Sequence, residues 1–175
     1  MGQMIEIEVS RASAETLAEQ LAALRGAKVY GAIKSAAKRA ASHAKRIGTK
    51  HVRSMYTIDA ASIKAATSIY GTQDGAMLRI AGPRKGVDHY KAKKRKQGVF
   101  VSIKKGSGDI VPRSFAYSGT FFQREGKERL PIKRLFGPAV PQLFGNDAIK
   151  GEIAAEAMKK YEERLRHEIG RLIGG

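Results

Sequence analysis

The sequence predicts an α+β protein of two layers: an antiparallel sheet of four to six strands, packed by an N-terminal helix pair and a long C-terminal helix. Three observations lead to this prediction. Apolar residues recur at helical spacing in long stretches near both ends, they alternate with polar residues in several short stretches between, and no internal repeat occurs. The 175 residues can bury a real hydrophobic core, and we expect a single domain over 1–175.

The N-terminal part begins with a predicted strand. Met4–Val9 alternates apolar and acidic residues, which is the pattern of a half-buried strand. Leu17, Leu21 and Leu24 follow at helical spacing and predict a short helix that ends near Gly26. This helix is the first member of the N-terminal pair.

A second helix is predicted over about 28–47. Its apolar residues, many of them alanines, fall on one narrow face. The opposite face is basic, because no acidic residue occurs from 20 to 58. We expect this face to contact DNA or an acidic partner through Lys34, Lys38 and Lys45.

Strands are predicted through the middle of the chain. Residues 62–70 and Ala76–Ala81 flank an Asp-Gly loop typical of hairpins, although 62–66 can alternatively be helical. Residues 98–105 form a further strand candidate. Ser114–Tyr117 and Thr120–Arg124 are predicted to be the two arms of another hairpin. The chain then ends in a predicted helix over about 147–172, which carries a continuous apolar stripe.

A basic segment occupies residues 83–97. Between 84 and 96 it holds seven basic residues and one acidic residue, a net +6. Because it lacks apolar periodicity, we predict a long loop. His89 and Tyr90 lie among the cations, which suits phosphate contact with base stacking, although a solvated surface is the alternative. The candidate contacts to DNA or an acidic partner are Arg84, Lys85, Lys91, Lys93, Lys94, Arg95 and Lys96.

Residues 125–145 are interrupted repeatedly by proline and glycine. Such a segment is not expected to run as a continuous helix or as a central strand. It nevertheless carries many apolar residues, and it therefore predicts a rigid, extended arm that docks on another surface. The alternative is that the arm crosses the sheet of its own chain.

The overall composition restricts the partners. The chain has 33 Lys and Arg against 16 Asp and Glu, and the resulting charge of +17 favours polyanions such as nucleic acid or an acidic protein face. No uncharged apolar run approaches the roughly 20 residues that cross a bilayer, and we expect no membrane partner. The absence of Cys excludes disulfides and thiolate metal sites.

No pattern of catalytic residues is recognisable in the sequence. None of the four histidines has a second metal-ligand residue at suitable spacing on a shared element. The Gly126-Lys127 pair is followed by Glu128, where a phosphate-binding loop needs Ser or Thr. We therefore expect no enzymatic activity, no cofactor and no bound metal.

Residues 114–144 carry a resemblance to a known family. The chain reads Phe-Ala-Tyr-Ser-Gly-Thr-Phe-Phe-Gln-Arg-Glu-Gly-Lys-Glu-Arg-Leu-Pro-Ile over 115–132 and Leu-Phe-Gly-Pro-Ala-Val-Pro-Gln-Leu over 135–143. It resembles the phage minor tail protein Z family, in which a Phe-rich hairpin with Arg-x-Gly-x-x-Arg-Leu-Pro-Ile precedes Leu-x-Gly-Pro-Ser-Val-Pro-Gln-Met. Ala139 and Leu143 depart conservatively from that pattern.

The resemblance implies a structural virion protein of a tailed phage or prophage. A minor tail or tail-completion protein of this kind forms a ring, with six subunits expected, at the head–tail junction through which DNA passes. The implied partners are further copies of the chain, a tail terminator or tube protein, head connector proteins and phage DNA in the lumen. The implied location is the virion tail, with the host cytoplasm during assembly. The alternative function is a small basic nucleic-acid-binding protein.

In a ring, the arm at 125–145 becomes the candidate subunit interface, because a rigid segment loses little entropy on docking. The candidate interface residues are Leu130, Pro131, Ile132, Leu135, Phe136, Pro138, Val140, Pro141, Leu143 and Phe144.

Overall fold

The computed structural model describes residues 4–9, 27–73, 75–145 and 147–173, and it confirms the α+β class. The helices are α1 (Ala27–Met55), α2 (Ala60–Ala66), α3 (Val140–Phe144) and α4 (Asp147–Ile173). The first strands are β1 (Met4–Val9), β2 (Thr67–Gly71), β3 (Ala76–Ala81), β4 (Arg84–Gly86), β5 (Lys91–Arg95) and β6 (Gly98–Ser102). The others are β7 (Asp109–Pro112), β8 (Ser114–Tyr117), β9 (Thr120–Arg124), β10 (Ile132–Arg134) and β11 (Phe136–Ala139).

The described residues divide into two compact units. The helical unit draws on Met4–Gly48, Thr67–Ile80 and Gly145–Gly175, and the sheet unit on Thr49–Ala66 and Ala81–Phe144. In the helical unit the strand order is β1-β3-β2, and β2 and β3 form the predicted antiparallel hairpin. The predicted helix that contains Leu17, Leu21 and Leu24 lies outside the described residues.

Both long helices bury the stripes that the sequence predicted. The stripe of α1 is narrow and rich in alanine, and the completely buried residues are Ala36, Ala37, Ala40, Ala41 and Ala44. The stripe of α4 has mostly larger buried side chains, those of Ile149, Ile153, Ala157, Tyr161, Leu165 and Ile169. Each fully buried branched side chain contributes about 1.5–3 kcal/mol. The first helix runs past the predicted end at 47 to Met55, because the buried Val52 continues its apolar stripe.

The sheet unit differs from the predicted architecture. A single sheet of four to six strands was expected, whereas the described strands of the chain form three sheets of three strands and one of two. In the sheet unit these are β5-β6-β7, β10-β9-β8 and β11-β4. Strands β7 and β8 are separated by Arg113, whose φ of 57° lies in the left-handed region and turns the backbone between them.

The hairpin of β8 and β9 is confirmed, with Tyr117 opposite Thr120. Its two turn residues, Ser118 and Gly119, both have positive φ, at 47° and 75°. Positive φ at both positions matches the right-handed twist of the flanking strands, which explains why Ser-Gly closes a two-residue turn.

The prediction of a long loop at 83–97 is wrong. Most of this segment is β4, a 3₁₀ turn at Val87–His89, and β5. β5 pairs antiparallel with β6, so that Lys91 lies opposite Ser102 and Arg95 opposite Gly98. The apolar strand β6 supplies the pairing partner, and the Lys-rich composition suits β5 because it is an edge strand, where charge discourages pairing with other chains.

The arm at 125–145 is also more ordered than predicted. It contains β10, β11 and the short helix α3. Pro138 is accommodated because β11 belongs to a two-stranded sheet, and Pro141 because it lies in the first turn of α3, where its missing N–H is not needed. Proline therefore limits the length of these elements without excluding them.

Candidate interaction surfaces

The cations of β5 and of its turn are exposed. Lys91, Lys93 and Arg95 share one face of the strand, and Phe100 of β6 lies opposite Lys93. At the turn, Lys96 lines a cleft of about 310 Å³ together with Arg113, Arg124 and Lys127. The predicted contact residues Lys91, Lys93, Lys94, Arg95 and Lys96 are thus all available to a partner.

The earlier part of the basic segment is engaged in the fold. Arg84 donates hydrogen bonds to the carbonyl oxygens of Gly137 (3.2 Å) and Phe136 (3.4 Å), which ties β4 to β11. Lys85 is half-buried. The guanidinium of Arg84 is exposed and already has acceptors within the sheet unit.

Tyr90 cannot stack on a base as predicted. Its side chain is only 6% exposed, and its hydroxyl donates a 2.8 Å hydrogen bond to the carbonyl oxygen of Pro138. Burial, assisted by the negative charge of Asp59, raises the pKa of Tyr90 to about 12. The aromatic residue of the basic segment therefore anchors β11 and is not part of an exposed surface.

The three predicted cations of α1 have different environments. Lys34 and Lys38 are exposed. Lys45 is half-buried, and its ammonium donates a 2.8 Å hydrogen bond to the backbone carbonyl of Thr67 in β2. Lys45 thus holds the helix to the sheet of its own unit, and the assignment of Lys45 to a partner is wrong.

A cationic groove, missed by the sequence prediction, lies between α1 and α4 in the helical unit. Its volume is about 610 Å³. The described residues that line it are Ser35, Lys38, Arg39, Ser42, His43, Arg46, Lys160 and Arg164. Five of them are cations, and none is acidic. The i,i+4 spacing within each helix signals a shared face, but the convergence of the two helices is a tertiary property.

Hydrogen bonds fix the orientation of several groove residues. The guanidinium of Arg46 donates to Nδ1 of His43 at 3.2 Å, and Nε2 of the same ring lies 3.4 Å from a carboxylate oxygen of Glu156. This arrangement suits a neutral imidazole with its proton on Nε2. Lys160 pairs with Glu163 at 2.7 Å, and this hydrogen bond, the largest influence, lowers the pKa of Glu163.

An apolar groove of about 420 Å³ lies on the sheet of β8, β9 and β10. The residues that line it are Phe115, Tyr117, Phe122, Arg124, Arg129, Leu130 and Ile132. The rings of Phe115 and Phe122 stack with centroids 6.0 Å apart, and the guanidinium of Arg124 lies 5.4 Å from the Phe115 ring. Tyr117 is 71% exposed and Leu130 66%. The floor of the groove is therefore ordered, while its rim is exposed.

The ten candidate interface residues divide into two groups. Leu130, Pro131, Ile132 and Phe136 are exposed, and Leu135 and Pro138 are half-buried. Those of α3, namely Val140, Pro141, Leu143 and Phe144, are buried in the folded chain. For these four the interface assignment is wrong, because the second half of the arm is buried within its own chain.

Asp59, Ser62 and His89 form a cluster that the sequence did not reveal. The Asp59 carboxylate accepts hydrogen bonds from the backbone N–H and the hydroxyl of Ser62, which caps α2 and explains why 62–66 is helical. Nδ1 of His89 lies 2.9 Å from both the Asp59 carboxylate and the Ser62 hydroxyl. In a catalytic triad the hydroxyl meets Nε2 and the carboxylate meets Nδ1. Because both groups share Nδ1 here, the cluster is suited to capping and not to activating a nucleophile.

Partial burial is the largest influence on the Asp59 carboxyl, and by itself it raises the pKa. The hydrogen bonds from Ser62 and His89, together with the charge of His89, outweigh burial and lower the pKa of Asp59 below its ordinary value. Within the described residues, no group of three or more His, Cys, Asp or Glu is arranged to hold a metal ion.

Comparison with known proteins identified no relative: no family model, no curated protein and no solved structure matches this chain. In the part of the chain that the structure describes, no helix is long and apolar enough to cross a membrane.

Proposed function

We propose that the chain is a structural subunit of a tailed-phage virion, a minor tail or tail-completion protein that forms a ring at the head–tail junction. Its partners are further copies of itself, in a ring of six, together with a tail terminator or tube protein and the head connector. DNA passes through the lumen of this ring, and the chain resides in the virion after assembly in the host cytoplasm.

The observation that carries this proposal is the apolar groove within the segment that resembles the minor tail protein Z family. The Leu-Pro-Ile element of the motif places Leu130 and Ile132 beside Tyr117, all three exposed. A contiguous exposed apolar patch with a polar rim is typical of a protein–protein interface. Arg124 and Arg129 supply such a rim.

The backbone of this surface also favours docking. β8, β9 and β10 form a hydrogen-bonded antiparallel sheet, with Ile132 opposite Arg124 and Ser114 opposite Gln123. An ordered surface loses little conformational entropy when a second subunit binds, so that more of the buried apolar area contributes to affinity.

The oligomeric state of the purified chain tests the proposal. We expect sedimentation velocity and negative-stain electron microscopy to show closed rings, and the double variant Leu130→Ser, Ile132→Ser to sediment as a monomer with an unchanged melting temperature. Tyr70→Ser is the matched control, because Tyr70 is an exposed aromatic residue of the helical unit. A wild-type chain that stays monomeric at all concentrations, or a double variant that still forms rings, contradicts the proposal.

The second candidate function is a free nucleic-acid-binding protein, which the exposed cations of β5 favour. A gel shift with the purified wild-type chain, together with its oligomeric state, separates the two. Tight binding of nucleic acid by a wild-type monomer that never forms rings supports this alternative.

A further inference from the structure

The cationic groove of the helical unit is a positive surface that is assembled from separate elements. Lys38, Arg39 and Arg46 come from α1, and Lys160 and Arg164 come from α4. We infer that this groove binds the phosphodiester backbone of nucleic acid. The inference rests on the proposed function only in assuming that phage DNA is the nucleic acid that the chain encounters.

Arg164 provides the first support. Its side chain is half-buried, and its Nε atom is buried without a hydrogen-bond partner among the described residues. A buried donor that lacks an acceptor typically costs about 1–3 kcal/mol. Arg164 also lines the groove, where the terminal nitrogens of its planar guanidinium can hold two phosphate oxygens at once.

The neighbouring carboxylates offset the charge of the groove only in part. Glu163 pairs with the groove cation Lys160 and Glu156 lies against His43, whereas the groove holds five cations. Lys38, Arg39 and Arg46 are exposed on α1, and the described lining contains no acidic residue. An anion that enters therefore meets a net positive field with little repulsion.

The dimensions favour a polymer over a single small anion. The lining of α1 extends from Ser35 to Arg46, which is about 16 Å at 1.5 Å per residue. Phosphates of one DNA strand rise about 3.4 Å each along the duplex axis, so that several lie within this length. The hydroxyl of Ser35 is a further donor to phosphate oxygens.

The composition of the lining favours a nucleic acid backbone over an acidic protein. Protein interfaces generally have an apolar or aromatic centre, whereas the described lining has no Leu, Ile, Val, Phe or Tyr. The one aromatic ring, that of His43, is held between Arg46 and Glu156 and is not free to stack on a base. Binding is consequently independent of base sequence.

Fluorescence anisotropy with mixed-sequence DNA, as a duplex and as a single strand, tests the inference over a series of salt concentrations. The groove variant carries Arg39→Gln, Arg46→Gln and Arg164→Gln. The control carries Lys159→Gln, Arg166→Gln and Arg171→Gln, which removes the same charge from α4 residues that do not line the groove. Each phosphate contact contributes about 0.9 to the slope of log K against log salt for duplex DNA. We expect the groove variant to lose about 2.7 from this slope, and the control to lose much less.

Equal losses in the groove variant and the control overturn the inference. Titration with inorganic phosphate and with oligoglutamate determines which kind of anion the groove binds. Saturable binding of phosphate without binding of DNA identifies a small-anion site, and tighter binding of oligoglutamate than of DNA identifies an acidic protein partner. Either result also overturns it.

Two further measurements keep this test separate from that of the proposed function. The single variant Arg39→Gln changes only an exposed residue. Its DNA affinity can therefore still be measured if the triple variant fails to fold. DNA binding by the Leu130→Ser, Ile132→Ser variant tests the groove in a chain that cannot form rings. Rings without DNA binding reject the groove alone, and DNA binding without rings rejects the ring alone.

Discussion

The hydroxyl of Tyr90 donates a 2.8 Å hydrogen bond to the backbone carbonyl of Pro138, and so joins the basic segment to the Gly-Pro element of β11. Burial of the same hydroxyl makes stability depend on pH. The folded pKa of Tyr90 is about 12 against an ordinary value of 10.0, so its contribution is complete below pH 10 and is lost as pH rises towards 12.

We therefore expect Tyr90→Phe to reduce the free energy of unfolding by about 0.5–1.5 kcal/mol at neutral pH, since one hydrogen bond is lost. The difference between wild type and Tyr90→Phe is expected to shrink between pH 10 and 12. Urea unfolding at several pH values measures both. A constant difference across that range contradicts the assignment.

Gly137 is expected to be intolerant of a side chain. A Cβ at this position lies 2.7 Å from the ring of Tyr90, which is itself buried and hydrogen-bonded. Gly137→Ala is expected to destabilise the chain by about 1–3 kcal/mol, because the added methyl group overlaps a ring that is buried and hydrogen-bonded. Thermal unfolding measures this loss.

Gly151→Ala is the matched control for Gly137→Ala. Position 151 is in α4, and a Cβ added there meets no described atom within 4 Å beyond its chain neighbours and the adjacent helix backbone. Alanine favours the helix by up to about 1 kcal/mol relative to glycine, so that the control is expected to raise the melting temperature. Equal effects at the two positions would contradict the packing of Tyr90 against β11.

The capping cluster at Asp59 predicts a response to acid. Asp59→Ala removes the acceptor at the start of α2 and is expected to cost about 0.5–2 kcal/mol. Because the folded pKa lies below 3.8, the carboxylate stabilises the fold above pH 3.8, and this contribution is lost as pH falls through the folded pKa.

Asp59→Asn separates the cap from the charge, since asparagine caps helices about as well. We expect Asp59→Asn to lie closer to wild type than Asp59→Ala at neutral pH, and to lose less stability in acid than wild type. Acid unfolding followed by circular dichroism provides the measurement. Identical acid curves for wild type and Asp59→Asn would count against the lowered pKa.

The two halves of the arm at 125–145 are expected to respond differently to truncation. Leu143→Ala removes a buried side chain and is expected to cost about 2–5 kcal/mol. Ile132 is 42% exposed, so Ile132→Ala is expected to change monomer stability by at most about 0.5 kcal/mol while weakening self-association. Urea unfolding at protein concentrations too low for rings to form measures the free energy of unfolding of both variants. Similar losses in the two variants would contradict it.

Local signals predicted the elements that depend on neighbours in sequence. The Ser118-Gly119 turn and the apolar stripe of α4 are examples, because turn geometry and helical period are written in consecutive residues. β5 was missed since a run of lysines becomes a strand only when β6 pairs with it. The Asp59–His89 contact joins residues 30 apart, and the sequence contains no signal for it.

The candidate sites show the same limit. Exposed cations on β5 were predicted correctly as surface residues, because charge alone favours exposure. Lys45 and Tyr90 were assigned wrongly, since the acceptors that they reach, Thr67 and Pro138, lie in other elements. The cationic groove depends on the packing of α1 against α4, and its α4 cations were not predicted at all.

The proposed place of the chain in a virion is tested most directly by deleting its coding sequence from the phage or prophage genome that carries it. Electron microscopy of the resulting lysate is expected to show DNA-filled heads and separate tails that fail to join. Wild-type chain supplied in trans is expected to restore joined particles, whereas the Leu130→Ser, Ile132→Ser variant is not. Joined, infectious particles at normal yield in the absence of the chain would contradict the proposal.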